Sequence, residues 1–464
     1  MAYAVPPGPR QTPLVGSLLA FRRDPLGFLL ETARQFGDVV HYRFGKARVF
    51  LLKNPDHIKD VLVTHQHRFV KGRGIQWAKL FLGEGLLTSE GEFHTRQRRL
   101  SQPAFHRQRI GAYAAIMAEY ADRARGRWRD GQAIAFEGEM HALTLAIAGR
   151  TLFGEDMEDE AAEIGAALTD VLSLFPRFAL PFARLIQRLP LPSNRRFDRA
   201  RARLDATVYR IIALRRKTGQ DEGDLLSMLM TAQDLEGDGG RMTDLQLRDE
   251  VMTLLLAGHE TTANALCWTF YLLSQNPEAE GRLHAEIDEV LGGRLPDLED
   301  VPRLRYAEQV FAESMRMYPP AWGIGRKVVT DHPVDRWTLP AGTLVSMSPW
   351  VTHHDERFFP EPFRFDPDRW LPDARASRPR FSYFPFGGGA RGCIGEQFAW
   401  MEGVLLLATL AQRFRFRMVA GTVVEPEALI TLRPKGGLPM IAESRPPGTS
   451  RPAETVLAQG APSA

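Results

Sequence analysis

The stretch FPFGGGARGCIG, residues 384–395, runs glycines into Cys393, one of only two cysteines in the chain. Two chemistries fit it. Gly387, Gly389 and Gly392 have the G-x-G-x-x-G spacing of a turn that cradles a pyrophosphate. Alternatively, consecutive glycines turn backbone N–H groups inward to form an electropositive concavity. A helix starting near Gly395 then adds its positive end, which favours an ionised thiol. Walled by Phe384 and Phe386, such a thiolate is a good axial ligand for iron, tuned by hydrogen bonds to its sulfur. The pyrophosphate reading needs a βαβ unit and an acidic residue about 20 positions on. The next strand candidate, FRFRMV, offers no carboxylate, and Pro385 stands where the feeding strand needs a backbone donor. The sulfur reading is preferred. Cys267, inside the apolar run ANALCWTFYLL, has nothing to activate it and reads as core.

Three further segments hold polar groups where they are expensive. AGHETT, residues 257–262, lies in a long helix with capping-box spacing at Thr243 and Gln246 and a stop at Asn276–Pro277. At about 1.5 Å per residue that helix is roughly 45 Å long. Glu260, flanked by VMTLLLAG and ANALCW, either reaches solvent or is a costly buried carboxyl. In ESMR, Glu313 and Arg316 are neighbours on one helical face that they share with Val310 and Met317. That points to a buried pair, which needs more hydrogen bonds than one partner supplies. In FHTRQRRLSQPAF, His94 and Arg98 are spaced i, i+4 and point one way. HHDE, residues 353–356, looks like a metal cluster, but it follows a strand, has no partnered second cluster and reads as structural.

Phe386-x-x-Gly389-x-Arg391-x-Cys393-x-Gly395 resembles the haem-binding signature of the cytochrome P450 superfamily, and the three other segments follow that family's order. The resemblance implies a mainly α fold with small β-sheets, a triangular helical prism around a buried haem b with Cys393 as its axial thiolate. Phe386, Arg391 and Gly395 would shape that site. His94, in place of the family's commoner Trp, would bind the haem propionates with Arg98 and Arg326. Glu260 and Thr261 look like the acid–alcohol pair that relays protons to dioxygen. Gly258 would leave room over the haem, and Thr261 would bond within the helix and open it. Glu313, Arg316 and Arg369 of FDPDRW resemble a structural triad. The pocket would be lined by Ala257, Ala321, Trp322 and Ile324, with FVKGRGIQWAKLFLGEGLL, LSLFPRFALPFARLIQRL and ITLRPKGG. Membrane contact at LSLFPRFALPF is less favoured than lid packing.

The implied reaction inserts one atom of dioxygen into a hydrophobic substrate, a fatty acid, terpenoid or sterol-like molecule. No flavin or ferredoxin domain is fused, so the expected electron source is a separate ferredoxin or flavodoxin with its reductase. Arginines of RQRR and HRQR would then face an acidic partner, or simply water. A peroxide-driven hydroxylase or a haem-thiolate isomerase shares the fold but has less need of Glu260 and Thr261. A NAD(P)-binding oxidoreductase is the remote alternative.

The elements that must position these residues follow from the whole chain. Its 464 residues, 44% hydrophobic and 25% charged, suffice for a large core. Lys+Arg at 59 against Asp+Glu at 56 gives +3, with no clustered basic face of the kind nucleic acid calls for. Two cysteines allow no disulfide framework, no Cys-rich zinc site and no cubane cluster. Prolines occupy the N-terminus where a signal peptide needs an apolar core, and no transmembrane run follows. The expectation is a cytoplasmic monomer with one domain over residues 1–444, a proline-rich start and a disordered tail at 445–464. Residues 92–320 read as helical, broken at LPLPSN and LEGDGG. DVVHYRFGKARVFLL reads as a hairpin turning near Gly45–Lys46, and a second β-rich stretch, 325–350, turns at Asp331–Pro333 and Pro340–Gly342.

Overall fold

The computed structural model describes residues 4–158, 160–173, 189–219, 221–233 and 240–445. The expected tail beyond residue 445 and most of LSLFPRFALPFARLIQRL lie outside them.

The long helix, Asp244–Gln275, is the axis of the molecule. Its start is the capping box legible in the sequence: the Gln246 N–H donates to Thr243 Oγ1, and the Thr243 N–H donates to the Gln246 side chain. Apolar residues surround it because it is covered on all sides, by helices Phe136–Phe153, Arg305–Met317, Pro192–Thr218 and Glu396–Arg413. Close approach is bought at Gly403, where a Cβ would stand 2.3 Å from the Phe311 ring. At the far end Trp268 stacks on Tyr318, centroids 4.0 Å apart, and donates its indole N–H to the Leu432 carbonyl.

A five-stranded sheet packs beside this bundle, in the order Val39–Phe44, Ala47–Leu52, Leu344–Met347, Ile324–Val328, Phe69–Lys71. The hairpin turns at Gly45, whose φ is +58°. Its second strand pairs in parallel with Leu344–Met347, Val49 facing Leu344. A three-stranded sheet joins Gln132–Ala135, Pro439–Ser444 and Phe414–Met418. The second hairpin departs from expectation: His332–Val334 is a strand, and its turn falls at Asp335–Arg336, with Asp335 at φ +50°. Pro333 is tolerated there because the ladder has only two strands and leaves one edge free.

The cysteine loop is braced from below. A π-turn, Asp60–Thr64, follows the short helix Pro55–Lys59 and runs into His65 and Gln66. The Asp60 carboxylate accepts from His65 Nδ1 at 2.5 Å and from His332 Nε2 at 2.6 Å, tying the turn to the β-stretch. Gln66 Oε1 accepts the Ala390 N–H at 2.9 Å. Gly389 sits at φ +70°, where a Cβ would lie 1.9 Å from the Leu62 carbonyl oxygen. The glycine run is therefore required by this turn and this contact, and no βαβ unit surrounds it.

Candidate active site around Cys393

Cys393 lies between a 3-10 turn, Gly389–Arg391, and the N-terminus of helix Glu396–Arg413. Its backbone N–H donates to the Phe386 carbonyl at 2.9 Å, which closes the loop. Phe386 packs against Trp400, ring centroids 5.9 Å apart, and a Cβ on Gly395 would touch Sγ at 4.0 Å. The thiol is exposed, yet what it faces is walled by protein. That enclosure pushes its pKa up to about 11; the Gly395 N–H and Arg98 pull it down, and Glu396 pushes it further up. The Gly395 amide acts in the direction expected of the loop, and desolvation acts against it.

The long helix carries a window of its own. From Leu247 to Phe270 every residue is buried except Ala257, Gly258 and Thr261, which share one face. The Thr261 hydroxyl donates to the Ala257 carbonyl at 2.8 Å, the intrahelical bond expected of it. Gly258 differs from expectation: a Cβ there would point at Leu152 and Ala148 of the neighbouring helix, at ordinary contact distances. Glu260 is buried, and burial raises its pKa, opposed by the Thr431 hydroxyl, which donates to Oε1 at 2.6 Å, and by the charge of Arg433.

A cationic cluster flanks the cysteine. Arg98 donates to the Gly392 carbonyl at 2.7 Å. Arg326 donates to the adjacent Gly325 carbonyl, and enclosure with Arg391 nearby pulls its pKa down to about 10. Arg391 pairs with Glu90, which also accepts the Lys71 N–H. Buried Lys71 donates Nζ to the Leu86 and Ser89 carbonyls, and burial brings its pKa down to about 7. His94 is buried among these cations and falls to about 4, so at neutral pH it is a neutral hydrogen-bond donor rather than a charge. Arg98, Arg326 and Arg391, with Lys71 in part, all act on His94, and this excess of positive charge suits a dianion.

These residues fit haem. A lone soft sulfur faces the enclosed space, and the cations beside it match two propionates. Cys393 would hold the iron; Arg98, Arg326, Arg391 and the neutral His94 would hold the carboxylates.

Glu313 and Arg316 are both fully buried and meet at 2.8 Å. Arg316 also donates to the carbonyls of His353, Pro362 and Arg364. Glu313 accepts from Trp370 Nε1 and the Asp366 N–H, and Arg369 Nε approaches it at 3.4 Å. The sequence-predicted trio is brought together, away from the sulfur, tying helix Arg305–Met317 to the segment before the cysteine loop. HHDE is structural packing too: His353 Nε2 accepts the Phe384 N–H at 3.1 Å, and His354 bonds the Trp350 carbonyl. Of the expected pocket residues, Ala257 opens on the window and Ala321 is half-buried. Ile324 comes within 3.5 Å of where a Gly387 Cβ would stand. Trp322 is elsewhere: its N–H needs a partner and finds the Leu429 carbonyl at 3.0 Å, and its ring packs towards Phe21.

Sequence reasoning missed Lys71, Glu90, Thr431 and Glu402. Glu402 is fully buried, with burial raising its pKa to about 8 and the nearby Thr262 opposing it. Its signal was available, a carboxylate inside WMEGVLLLATL, as was a lysine ending the strand FVK.

A single thiol at a helix N-terminus, set beside cations, fits the haem-thiolate class. The chain belongs to the cytochrome P450 family, whose model matches residues 6–438. It is 44% identical to cyclooctatin synthase of Streptomyces melanosporofaciens over 96% of both chains. It is 36% identical to pentalenene oxygenase of Streptomyces avermitilis over 95% of this chain and 97% of that one. Among solved structures, the retinoic acid-bound cyanobacterial CYP120A1 superposes with a TM-score of 0.85 at 27% identity, covering 96% of this chain and 100% of that one. The chain is accordingly a cytochrome P450 monooxygenase.

Proposed function

We propose that this monooxygenase hydroxylates a cyclic terpenoid. The observation that carries the reading is the window of Ala257 and Thr261 in an otherwise buried helix stretch, which offers a bulky apolar substrate one small side chain and one hydroxyl. The relatives support the substrate class, because cyclooctatin synthase and pentalenene oxygenase oxidise terpenoids.

When bound, haem supplies the dioxygen chemistry: one oxygen atom enters a substrate C–H bond and the other leaves as water. The protein's own groups do the rest. Cys393 would hold the iron and lend it electron density through sulfur, and Arg98, Arg326 and Arg391 would hold the carboxylates. Thr261 presents a hydroxyl steadied by the Ala257 carbonyl, and Glu260 is a carboxyl whose proton affinity burial raises. Electrons come from a separate acidic ferredoxin or flavodoxin. Arg99 and His106, beside Ala390 of the cysteine loop and outside the set assigned to the carboxylates, support this.

Spectral titration of the ferric protein with cyclic diterpenes, sesquiterpenes, fatty acids and sterols tests the substrate class. Terpene-selective loss of the iron-bound water band is expected. Tighter binding of fatty acids would overturn it.

A further inference from the structure

Glu260 and Thr261, adjacent in sequence, do not bond each other. Thr261 donates to the Ala257 carbonyl, whereas the Glu260 carboxyl is taken by Thr431 at 2.6 Å. Thr431 comes from a distant segment, between half-buried Ile430 and strand Leu432–Pro434, and it is itself buried. Its hydroxyl oxygen accepts the Asn264 Nδ2–H at 3.1 Å. Asn264 is fully buried one turn after Glu260, and its Oδ1 has no partner. With an amide N–H pointed at the oxygen, the single hydroxyl proton of Thr431 is left for Glu260.

We propose that Thr431 is a positioning residue of the proton relay: oriented by Asn264, it clasps two successive turns of the long helix and fixes the rotamer and proton affinity of Glu260. The clasp sits on a rigid mount. Leu432 accepts from Trp268 through its carbonyl, and its own N–H donates to the Pro320 carbonyl. A hydroxyl so held cannot follow the carboxyl if the carboxyl moves, so the bond is a fixed reference for Glu260. A hydrogen bond to the ionised form favours it, and losing that bond should raise the proton affinity of Glu260.

The other charged groups around this point are also identifiable. Arg433, on the same strand as Leu432, acts on Glu260 and bonds Glu427 at 3.0 Å. Helix Phe136–Phe153 contributes Glu137 and His141, both within reach of the charge of Arg433. His259, beside Glu260, has its Nε2 at 3.4 Å from His141 Nδ1, and burial pulls its pKa to about 3, so it stays neutral. None of these replaces the Thr431 bond to Oε1.

The inference rests on reading Glu260 as the acid of the relay, and the experiment separates the two. In the ferric holoprotein without substrate, the infrared carboxylic-acid stretch that disappears in Glu260→Gln is titrated in the parent, Thr431→Val and Thr431→Ser. Peroxide released per electron pair is then measured with a bound terpene. Thr431→Val should move the titration midpoint up by about half a pH unit or more and raise peroxide release several-fold, and Thr431→Ser should restore both. Asn264→Ala, which disorients the hydroxyl without removing it, should shift both readouts the same way by less, and it serves if the valine variant does not fold. An unmoved midpoint in Thr431→Val and Asn264→Ala overturns the inference, as does a change in terpene affinity alone. If Glu260→Gln itself leaves coupling intact, the relay reading fails instead, while the midpoint still reports on the clasp.

Discussion

At the scale of single residues, the site was legible where a side chain was out of place for its surroundings. Cys393 follows a glycine run, and Glu260 and Thr261 interrupt an apolar helix. If Cys393 is the iron ligand, Cys393→Ala should abolish the far red-shifted Soret band of the reduced carbon monoxide complex. A spectrum like the parent's would remove the assignment. Thr261→Ala should leave substrate binding within a few-fold and divert much of the electron flow to peroxide, read as peroxide formed per substrate oxidised. What could not be read were the residues whose role depends on a partner far along the chain. Nothing local marks Glu90 as the partner of Arg391 or Thr431 as the partner of Glu260. What desolvates Cys393 was illegible for a related reason. Amides and a helix end are visible in a motif, but the walls that desolvate a thiol come from everywhere else.

At the scale of elements, the turns that hold the cysteine are as exacting as the ligand. Gly389→Ala places a methyl group on a left-handed backbone against the Leu62 carbonyl. Purified protein should retain little haem, as measured by the ratio of Soret to protein absorbance, whereas Gly74→Ala, which meets nothing within 4 Å, should load like the parent. The triad is a second test. Removing Glu313 leaves Arg316 charged and fully buried, which costs roughly 3–5 kcal/mol by analogy with other broken buried pairs. Glu313→Ala should therefore lower the denaturant midpoint far more than Arg369→Ala, whose contact at 3.4 Å is the looser one. The hairpin at residues 39–52 and the capped start at Thr243 were legible because alternation and capping are local signals. The turn at Asp335–Arg336 was misplaced by two to four residues because Pro333 looks like a turn residue. It becomes a strand residue only when the pairing of His332 with Leu339 is known.

At the scale of the molecule, buried titratable groups set opposing pH limbs. Glu402 has its folded pKa raised from 4.5 to about 8, so the stability it contributes is fully present below pH 4.5 and lost as pH rises through 8. His259 and His354 run the other way. With folded values of about 3 against 6.5, their contribution is complete above pH 6.5 and lost as pH falls towards 3. Denaturant melts of the holoprotein should weaken on both sides of mildly acidic pH. Glu402→Gln should flatten the alkaline side by something on the order of 1 kcal/mol between pH 6.5 and 8 while leaving the acid side in place. An unchanged alkaline side would show that Glu402 is already ionised in the native protein.

The parallel pairing of Val49–Leu52 with Leu344–Met347 bears on how the protein is made. During translation the N-terminal hairpin emerges early with one edge bare, and the strand that covers it arrives only after most of the remaining chain. Until then the nascent polypeptide carries an unsatisfied β-template, the kind of edge that recruits stray strands. Ribosome-stalled fragments ending before residue 344 should thus cling to chaperones and aggregate on release, and those extending past 347 should not.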